Sequence, residues 1–382
     1  MRALVLDAAT RTATVKDVPI PKPGPGEVLV RVKAVALNPV DALYTANPLG
    51  GSGRIVGSDF SGVVESASGT LATGQRVAGF LQGACSSNDR PGAFAEYLVT
   101  PEDLVWRLPD SISDEEAATM NLCALTAAQG VFYRLGLPAP FPCKIPPAMK
   151  GRPAEGDASR EHWFFVYGAT TSVGMYVAQL VRRGAEASGK KIKLVGAASK
   201  GHFAKLRAEP FGYDALVDYR SEDWVGEVRS ISGGGGVDFA YDGISEGMTV
   251  QMVSRTLRKG GGIAIVRSKE AGAWKAEGLD PDVFPIYGAV WEALGQEIKY
   301  QKLVISPSPD ARAFAVEWYK WLSGGGKLEA NPARLMPGGF DRIVPDGFVL
   351  LGTGTMDLRE NSRDEPWMKP VSGEKLVYRV DA

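Results

Sequence analysis

Apolar and polar positions alternate along much of the first hundred residues. Residues 1–7 (MRALVLD) read as a strand, and residues 28–37 (VLVRVKAVAL) alternate apolar with basic, the pattern of a half-buried strand. Residues 19–25 between them form a Pro/Gly-rich turn. Residues 62–65, 75–78 and 94–99 read as three more short strands. Short strands at this spacing predict a small, barrel-like β domain. From Ser113 the period changes. Ser113 with Glu116 makes a capping-box pattern, and residues 117–135 read as mostly helical. Residues 137–162 carry PAPFPCKIPP and GRPAEGDASRE; a loop of this length is either functional or a surface insertion, and both readings stay open. Strands and helices then alternate. The predicted strands are 164–167, 193–197, 215–219, 237–241 and 262–266. Between them lie helices from Val173 (with Val177, Leu180 and Val181 in phase), over 202–209 and over 250–257. That order predicts a parallel sheet covered on both faces, with right-handed crossovers. After about Leu328 helix and short strands return. Residues 374–380 form an apolar strand whose expected host is the sheet of the N-terminal domain.

The 382 residues are 45% hydrophobic and 23% charged, which suits two domains with sizeable cores. The net charge of −1 provides no long-range field for nucleic acid or an anionic membrane, so neither is expected as a partner. No run of about 18 apolar residues and no basic-then-apolar leader occurs, so a cytoplasmic location is expected. Cys85, Cys123 and Cys143 are odd in number and far apart, the usage of reduced, packed thiols. His162 and His202 are the only histidines, and C-x-x-C is absent. A His-rich or Cys-rich metal site cannot be assembled from this inventory.

The strongest chemical signal is FFVYGATTSVGMYVAQL, residues 164–180. A strand stops at Gly168, a hydroxyl-rich turn follows (Ala169, Thr170, Thr171, Ser172), and a helix begins near Val173 and Gly174. A helix N-terminus so placed stabilises an anion through its unpaired N–H groups and its dipole; a dinucleotide pyrophosphate is the usual guest. The three glycine places of G-x-G-x-x-G hold Ala169, Thr171 and Gly174, so only the last glycine is kept. Thr171 and Ser172 are candidates to donate to the pyrophosphate, or to cap the helix, and both roles can hold together. The second strand of this half ends in Gly196-Ala197-Ala198-Ser199-Lys200, without the acid that binds the ribose of NAD. A carboxylate about 4 Å from a 2′-phosphate would cost on the order of 4 kcal/mol at intermediate dielectric. Lys200 reverses that sign and Ser199 adds a donor, so NADPH is expected over NADH; a solvated surface lysine is the plainer alternative. Asp242, at the end of a later strand, is either a cofactor contact or a turn residue.

Taken in order, these segments resemble a family. PKPGPGEVLVRVKAVALNPVDAL, GSDFSGVVE, GQRVAGF, GAFAEYLV, LTAAQGVF, the turn at 168–174, VDFAYDGIS, GGFDRI and SGEKLVYRV are similar to the zinc-independent medium-chain dehydrogenase/reductases, the quinone oxidoreductase and enoyl reductase group. Within it the chain is most similar to the stand-alone enoyl reductases that serve fungal polyketide synthases in trans. That likeness rests on the hydroxyl-bearing turn, the Pro-rich insertion and YGAVWEALG from Tyr287. The resemblance implies an α/β fold. A GroES-like β-barrel substrate domain would take residues 1–130 and 325–382. A doubly wound (Rossmann) NADPH-binding domain would take 131–324, with the insertion at 137–162. It implies hydride transfer to the β-carbon of an α,β-unsaturated thioester, an acyl carrier domain of a polyketide synthase as partner, and a monomer. It also implies Asn38, Tyr44 and Thr126 at the reaction site, and Tyr219 beside Lys200 at the 2′-phosphate. Some relatives have a tyrosine or lysine at the place of Leu43; here the tyrosine comes one residue later. No metal is expected, because Asn38-Pro39-Val40-Asp41 stands where a ligand cysteine would fall and Gly57-Ser58-Asp59 where G-H-E would. A quinone or free-enone reductase, and a non-catalytic NADPH-binding protein, are the alternatives.

Overall fold

The computed structural model describes residues 1–146, 149–153, 160–356, 359 and 361–380. Residues 147, 148 and 154–159 of the Pro-rich stretch lie outside them. The chain divides into two compact units, Met1–Leu122 with Trp291–Ala382, and Cys123–Val290.

The first unit opens with an antiparallel pair, β1 (Arg2–Asp7) and β2 (Thr12–Asp17). β3 (Glu27–Ala36) follows. Its alternation buries Val28, Val30 and Val32 on one face, and its pairing with the strand at Asp59–Ala67 carries two register shifts. Next come α1 (Pro39–Ala46), β4 (Asp59–Ala67), β5 (Arg76–Phe80), β6 (Tyr97–Pro101), β7 (Val105–Arg107) and α2 (Asp114–Ala118). The strand expected at 94–99 starts later: Phe94 precedes it, and Ala95 makes only an isolated bridge to Ala3. α2 is capped as its sequence predicts, with Ser113 accepting from the Glu116 N–H. The single helix read over 117–135 is broken in three: α2 ends at Ala118, α3 (Asn121–Ala128) follows, and a π-type turn runs over Gln129–Arg134.

The second unit alternates strand and helix as far as its fifth strand. β8 (His162–Tyr167), α4 (Ser172–Ser188), β9 (Ile192–Ala198), α5 (Phe203–Arg207), β10 (Ala215–Asp218), α6 (Trp224–Ile231), β11 (Val237–Asp242), α7 (Thr249–Ser254), β12 (Leu257–Ile265) and β13 (Ile286–Tyr287) follow in order. All six strands are parallel, in the order β10-β9-β8-β11-β12-β13. Numbered within the unit this is 3-2-1-4-5-6, the doubly wound dinucleotide-binding order, with its switch point between β8 and β11. The helix expected over 250–257 ends at Ser254, and Leu257 already belongs to β12. The strand expected at 262–266 therefore starts earlier, and Gly260 and Gly261 form an irregularity inside it. Gly260 has φ of 74°, and the register jumps between Val237 and Phe239. Phe165, Val195, Val217, Trp224, Ala240 and Ile263 lie in the core of this unit.

The chain then returns to the first unit through β14 (Ile298–Lys299), β15 (Val304–Ile305), α8 (Pro309–Ser323), β16 (Ala333–Leu335), α9 (Val349–Leu351) and β17 (Lys375–Arg379). β17 pairs antiparallel with β3, Val377 opposite Ala36, and so completes a sheet ordered β16-β17-β3-β4-β5-β7, with β6 also on β3. The host of the C-terminal strand is thus the N-terminal sheet, as its apolar pattern requires. Residues 291–324, placed by sequence with the nucleotide half, pack in the first unit, where Phe80 stacks on Trp291 and Tyr319. No helix among the described residues is long and apolar enough to cross a membrane.

Candidate active site

In the second unit the turn after β8 lies at the switch point, where ligands of this architecture bind outside the carboxyl ends of the strands. Gly168 has φ of 73°, and a Cβ on Gly174 would stand 2.3 Å from the Gly168 carbonyl oxygen. The kept glycine therefore lets α4 start hard against the end of β8. Thr171 is the N-cap: its Oγ1 accepts from the Gly174 N–H at 3.0 Å and donates to the Gly168 carbonyl at 2.8 Å. Both hydroxyl functions of Thr171 are engaged in closing the turn, so the capping role is the one the geometry displays. Ala169 is buried, its N–H on the Ala197 carbonyl at 3.0 Å. Thr170, Thr171, Ser172 and Val173 form a continuous half-buried run at the N-terminus of a 17-residue helix. A helix N-terminus of this kind favours an anion through its backbone N–H groups, whether or not the glycines before it are kept.

One strand over, Ser199 follows β9 and directly precedes the short turn Lys200–His202, with no capping hydrogen bond from its side chain. β10 runs beside β9 with Asp218 opposite Ala198, so Tyr219 and Ser199 leave the sheet as neighbours. Lys200 is exposed and, among the described residues, makes no ion pair. Tyr219 is exposed too, with the Arg220 guanidinium 4.6 Å from its ring centre. Asp218, the nearby acid, has Arg220 at 3.8 Å. The corner thus presents Ser199, Lys200, Tyr219 and Arg220, a set suited to a phosphate dianion.

Asp242 ends β11 opposite Tyr167 of β8 and is fully buried. One carboxylate oxygen accepts from the N–H groups of Ile244 and Ser245, each at 2.9 Å, and the other from the Thr249 hydroxyl at 2.6 Å. Burial pushes its pKa up to about 6 against these hydrogen bonds. Asp242 is therefore the organiser of the turn it opens. Thr126, on α3, is half-buried where every other residue from 117 through 135 is buried, and its carbonyl accepts from the Tyr241 hydroxyl at 3.4 Å. Both histidines lie in this unit; His162 starts β8, with Nδ1 3.8 Å from Asp238 Oδ2.

The first unit holds the other two candidates. Asn38 caps α1 and is 1% exposed. Its backbone N–H donates to Asp41 Oδ2 at 2.8 Å, and its Nδ2 to Asp59 Oδ2 at 2.9 Å. Asp59 also accepts the Leu122 N–H at 2.7 Å and pairs with Lys375, itself buried on β17. Ser58 donates to Asp41 Oδ1 at 2.5 Å, with the Cys85 sulfur 3.9 Å from the same oxygen. Burial raises Asp41 to about 7, and burial also pushes the Cys85 thiol well up. Ser58 and Asp59, the residues at the G-H-E place, are thus members of a buried hydrogen-bond network. Among the described residues no three His, Cys, Asp or Glu side chains are arranged to hold a metal ion. Tyr44, half-buried on α1, stacks on Tyr300 with ring centres 6.3 Å apart.

Residues 24–110 match the family model described as alcohol dehydrogenase GroES-like domain. "Trans-enoyl reductase resD" of Aspergillus sclerotiorum is 33% identical over the whole of both chains. "Trans-enoyl reductase ACTTS2" of Alternaria alternata is 32% identical over all of this chain and 99% of that protein. The chain belongs to the trans-enoyl reductases. Among solved structures the CurK enoyl reductase is similar in fold. Its TM-score is 0.69 at 18% identity, with 99% of this chain and 98% of that one covered.

In this trans-enoyl reductase the sequence pointed to the phosphate turn, the post-β9 corner and α1. It did not point to Lys375 or to the Asp41–Ser58 pair. A lone lysine in an apolar C-terminal strand was the one available sign of a buried counter-charge. Gly288, in the segment singled out near Tyr287, shows its constraint only in the structure: a Cβ there would lie 1.6 Å from Arg134 Nη2.

Proposed function

We propose that this trans-enoyl reductase is NADPH-dependent and saturates the α,β double bond of a polyketide thioester carried by an acyl carrier domain, working in trans with a polyketide synthase. The observation that carries the reading is the pairing of two features at the carboxyl ends of the neighbouring strands β8 and β9. One is a helix N-terminus opened by Gly174. The other, one strand away, is an exposed lysine that makes no ion pair among the described residues, at a place where NAD-binding proteins put an acid. The names of the relatives support the enoyl and in-trans parts.

The residues fit the cofactor. The N–H groups at the start of α4 and the hydroxyl of Ser172 would hold the diphosphate. Ser199, Lys200 and Tyr219 would hold the 2′-phosphate, and the turn after Asp242 would border the nucleotide. Bound there, NADPH supplies a hydride to the β-carbon of the substrate. The electron pair leaving the double bond then rests on the thioester oxygen, where a hydroxyl donor such as that of Thr126 lowers its energy. The α-carbon takes a proton, and Tyr44 is the proposed source; Asn38 fixes the helix that bears it. The chain acts as a monomer in this reading.

Lys200→Glu tests the cofactor assignment. KM for NADPH should rise at least tenfold with KM for NADH unchanged or lower; unaltered discrimination would count against it. Tyr44→Phe should lose most of the turnover with NADPH affinity kept, and full activity removes Tyr44 as the acid. Turnover of simple quinones or free enones without a carrier, at rates above those with thioesters, would favour the alternative substrate class.

A further inference from the structure

Ser245 sits in the turn after β11, fully buried, with φ of 53°. Among the described residues it shares this left-handed backbone with only one other non-glycine, Arg11. A side chain disfavours that conformation, and glycine adopts it freely. Serine is nonetheless present, and its hydroxyl is fully used. It donates to the Asp242 carbonyl at 3.0 Å and accepts from the Val266 N–H at 3.0 Å, while its own N–H donates to Asp242 Oδ1. Val266 directly follows β12, so one side chain ties the exit of β11 to the exit of β12. The turn it fixes lies against the phosphate turn. The Gly243 N–H donates to the Tyr167 carbonyl at 3.0 Å. A Cβ on Gly243 would stand 2.9 Å from Thr171 Oγ1, and one on Gly168 3.1 Å from Ile244 Cγ1. The two turns at the switch point are therefore in close contact, and a shift of one displaces the other.

We infer that Ser245 is a positioning residue for the dinucleotide, its strained backbone retained because its hydroxyl locks the turn at Gly243 and Ile244 against the phosphate turn. Strain of this kind persists where the surroundings over-determine it, and it collects at ligand sites. The inference rests on the NADPH reading of the second unit and adds a residue that does not itself touch the nucleotide.

Ser245→Ala and Ser245→Gly separate the two contributions. Both remove the hydroxyl; only the glycine also relieves the backbone. NADPH affinity is read by the fluorescence of the bound reduced nicotinamide, and stability by thermal unfolding of the same samples without cofactor. Both variants should raise Kd for NADPH about tenfold, the effect expected from losing a buried hydrogen-bonded tie. Ser245→Gly should unfold at a higher temperature than Ser245→Ala and yet bind no better. A purely structural role would lower the unfolding temperature and leave Kd unmoved at a temperature well below it. Binding within twofold of wild type by either folded variant overturns the inference. Wild type that binds no NADPH defeats the cofactor reading instead, before any variant is compared.

Discussion

Lys375→Met removes the counter-charge of a carboxylate that has no access to water. The Asp59 and Lys375 side chains are 0% and 3% exposed, so solvent cannot replace the ammonium. Breaking a buried pair by deleting one partner costs about 3–5 kcal/mol, because the remaining charge is left uncompensated. Asp59 keeps two donors, Asn38 Nδ2 and the Leu122 N–H, which places the expected loss near about 3 kcal/mol. A unit of this size shifts by about 2–4 °C per kcal/mol, so its unfolding temperature should fall by about 10 °C. The assay is urea and thermal unfolding followed by near-ultraviolet circular dichroism. Asp59→Asn combined with Lys375→Met removes both charges and retains a hydrogen-bonding side chain, so it should recover more than half of the loss. A single variant within about 1 kcal/mol of wild type would refute the reasoning, since the pair would then cost nothing to break. A double variant no better than the single would refute it as well.

Three further outcomes follow from the same geometry. Gly174→Ala sets a Cβ 2.3 Å from the Gly168 carbonyl, so α4 must move off β8; NADPH binding should be lost in fluorescence titrations of a protein that still folds. Thr171→Ala removes the N-cap of α4 and should cost about 1 kcal/mol in urea unfolding, with weaker NADPH binding as the turn opens. Asp41 has its folded pKa raised, to about 7 from the ordinary 3.8, so the native state holds a proton that the unfolded state has lost. Its contribution to stability therefore falls as pH rises from about 4 to about 7 and is flat above. The difference in urea midpoint between wild type and Asp41→Asn should show that slope; a difference independent of pH would exclude Asp41 as its source.

Local pattern made much of the fold legible. β3 declared itself by alternation and α2 by its capping box, and the repeated strand–helix order announced a parallel sheet, although the helix at Trp224–Ile231 was not read. What escaped depended on tertiary context. α1 is only eight residues, about two turns, and its start is fixed by hydrogen bonds from Asn38 to Asp41 and Asp59 that sequence does not display. The helix expected to run to Leu257 failed because the Gly260–Gly261 pair, normally a turn signal, is accommodated as an irregularity within β12. Residues 291–324 follow a run of nucleotide-domain strands and carry an amphipathic helix. Nothing local says which core receives Phe314, Trp318 and Tyr319. At the site, the turn at 168–174 was readable despite two missing glycines, because a helix N-terminus binds anions through backbone. Ser245 was not: a serine at positive φ leaves no trace in sequence, and only the Val266 bond gives it a purpose.

The central claim is that this chain uses NADPH to saturate a carrier-bound enoyl thioester. The direct measurement offers purified protein NADPH and a series of enoyl thioesters on an acyl carrier domain. Cofactor oxidation is followed by absorbance and the acyl group by mass spectrometry. One NADPH should be consumed for each acyl group gaining two hydrogens, with NADH a markedly poorer donor. Acyl groups that stay unsaturated across the series while NADPH is neither bound nor oxidised would contradict it.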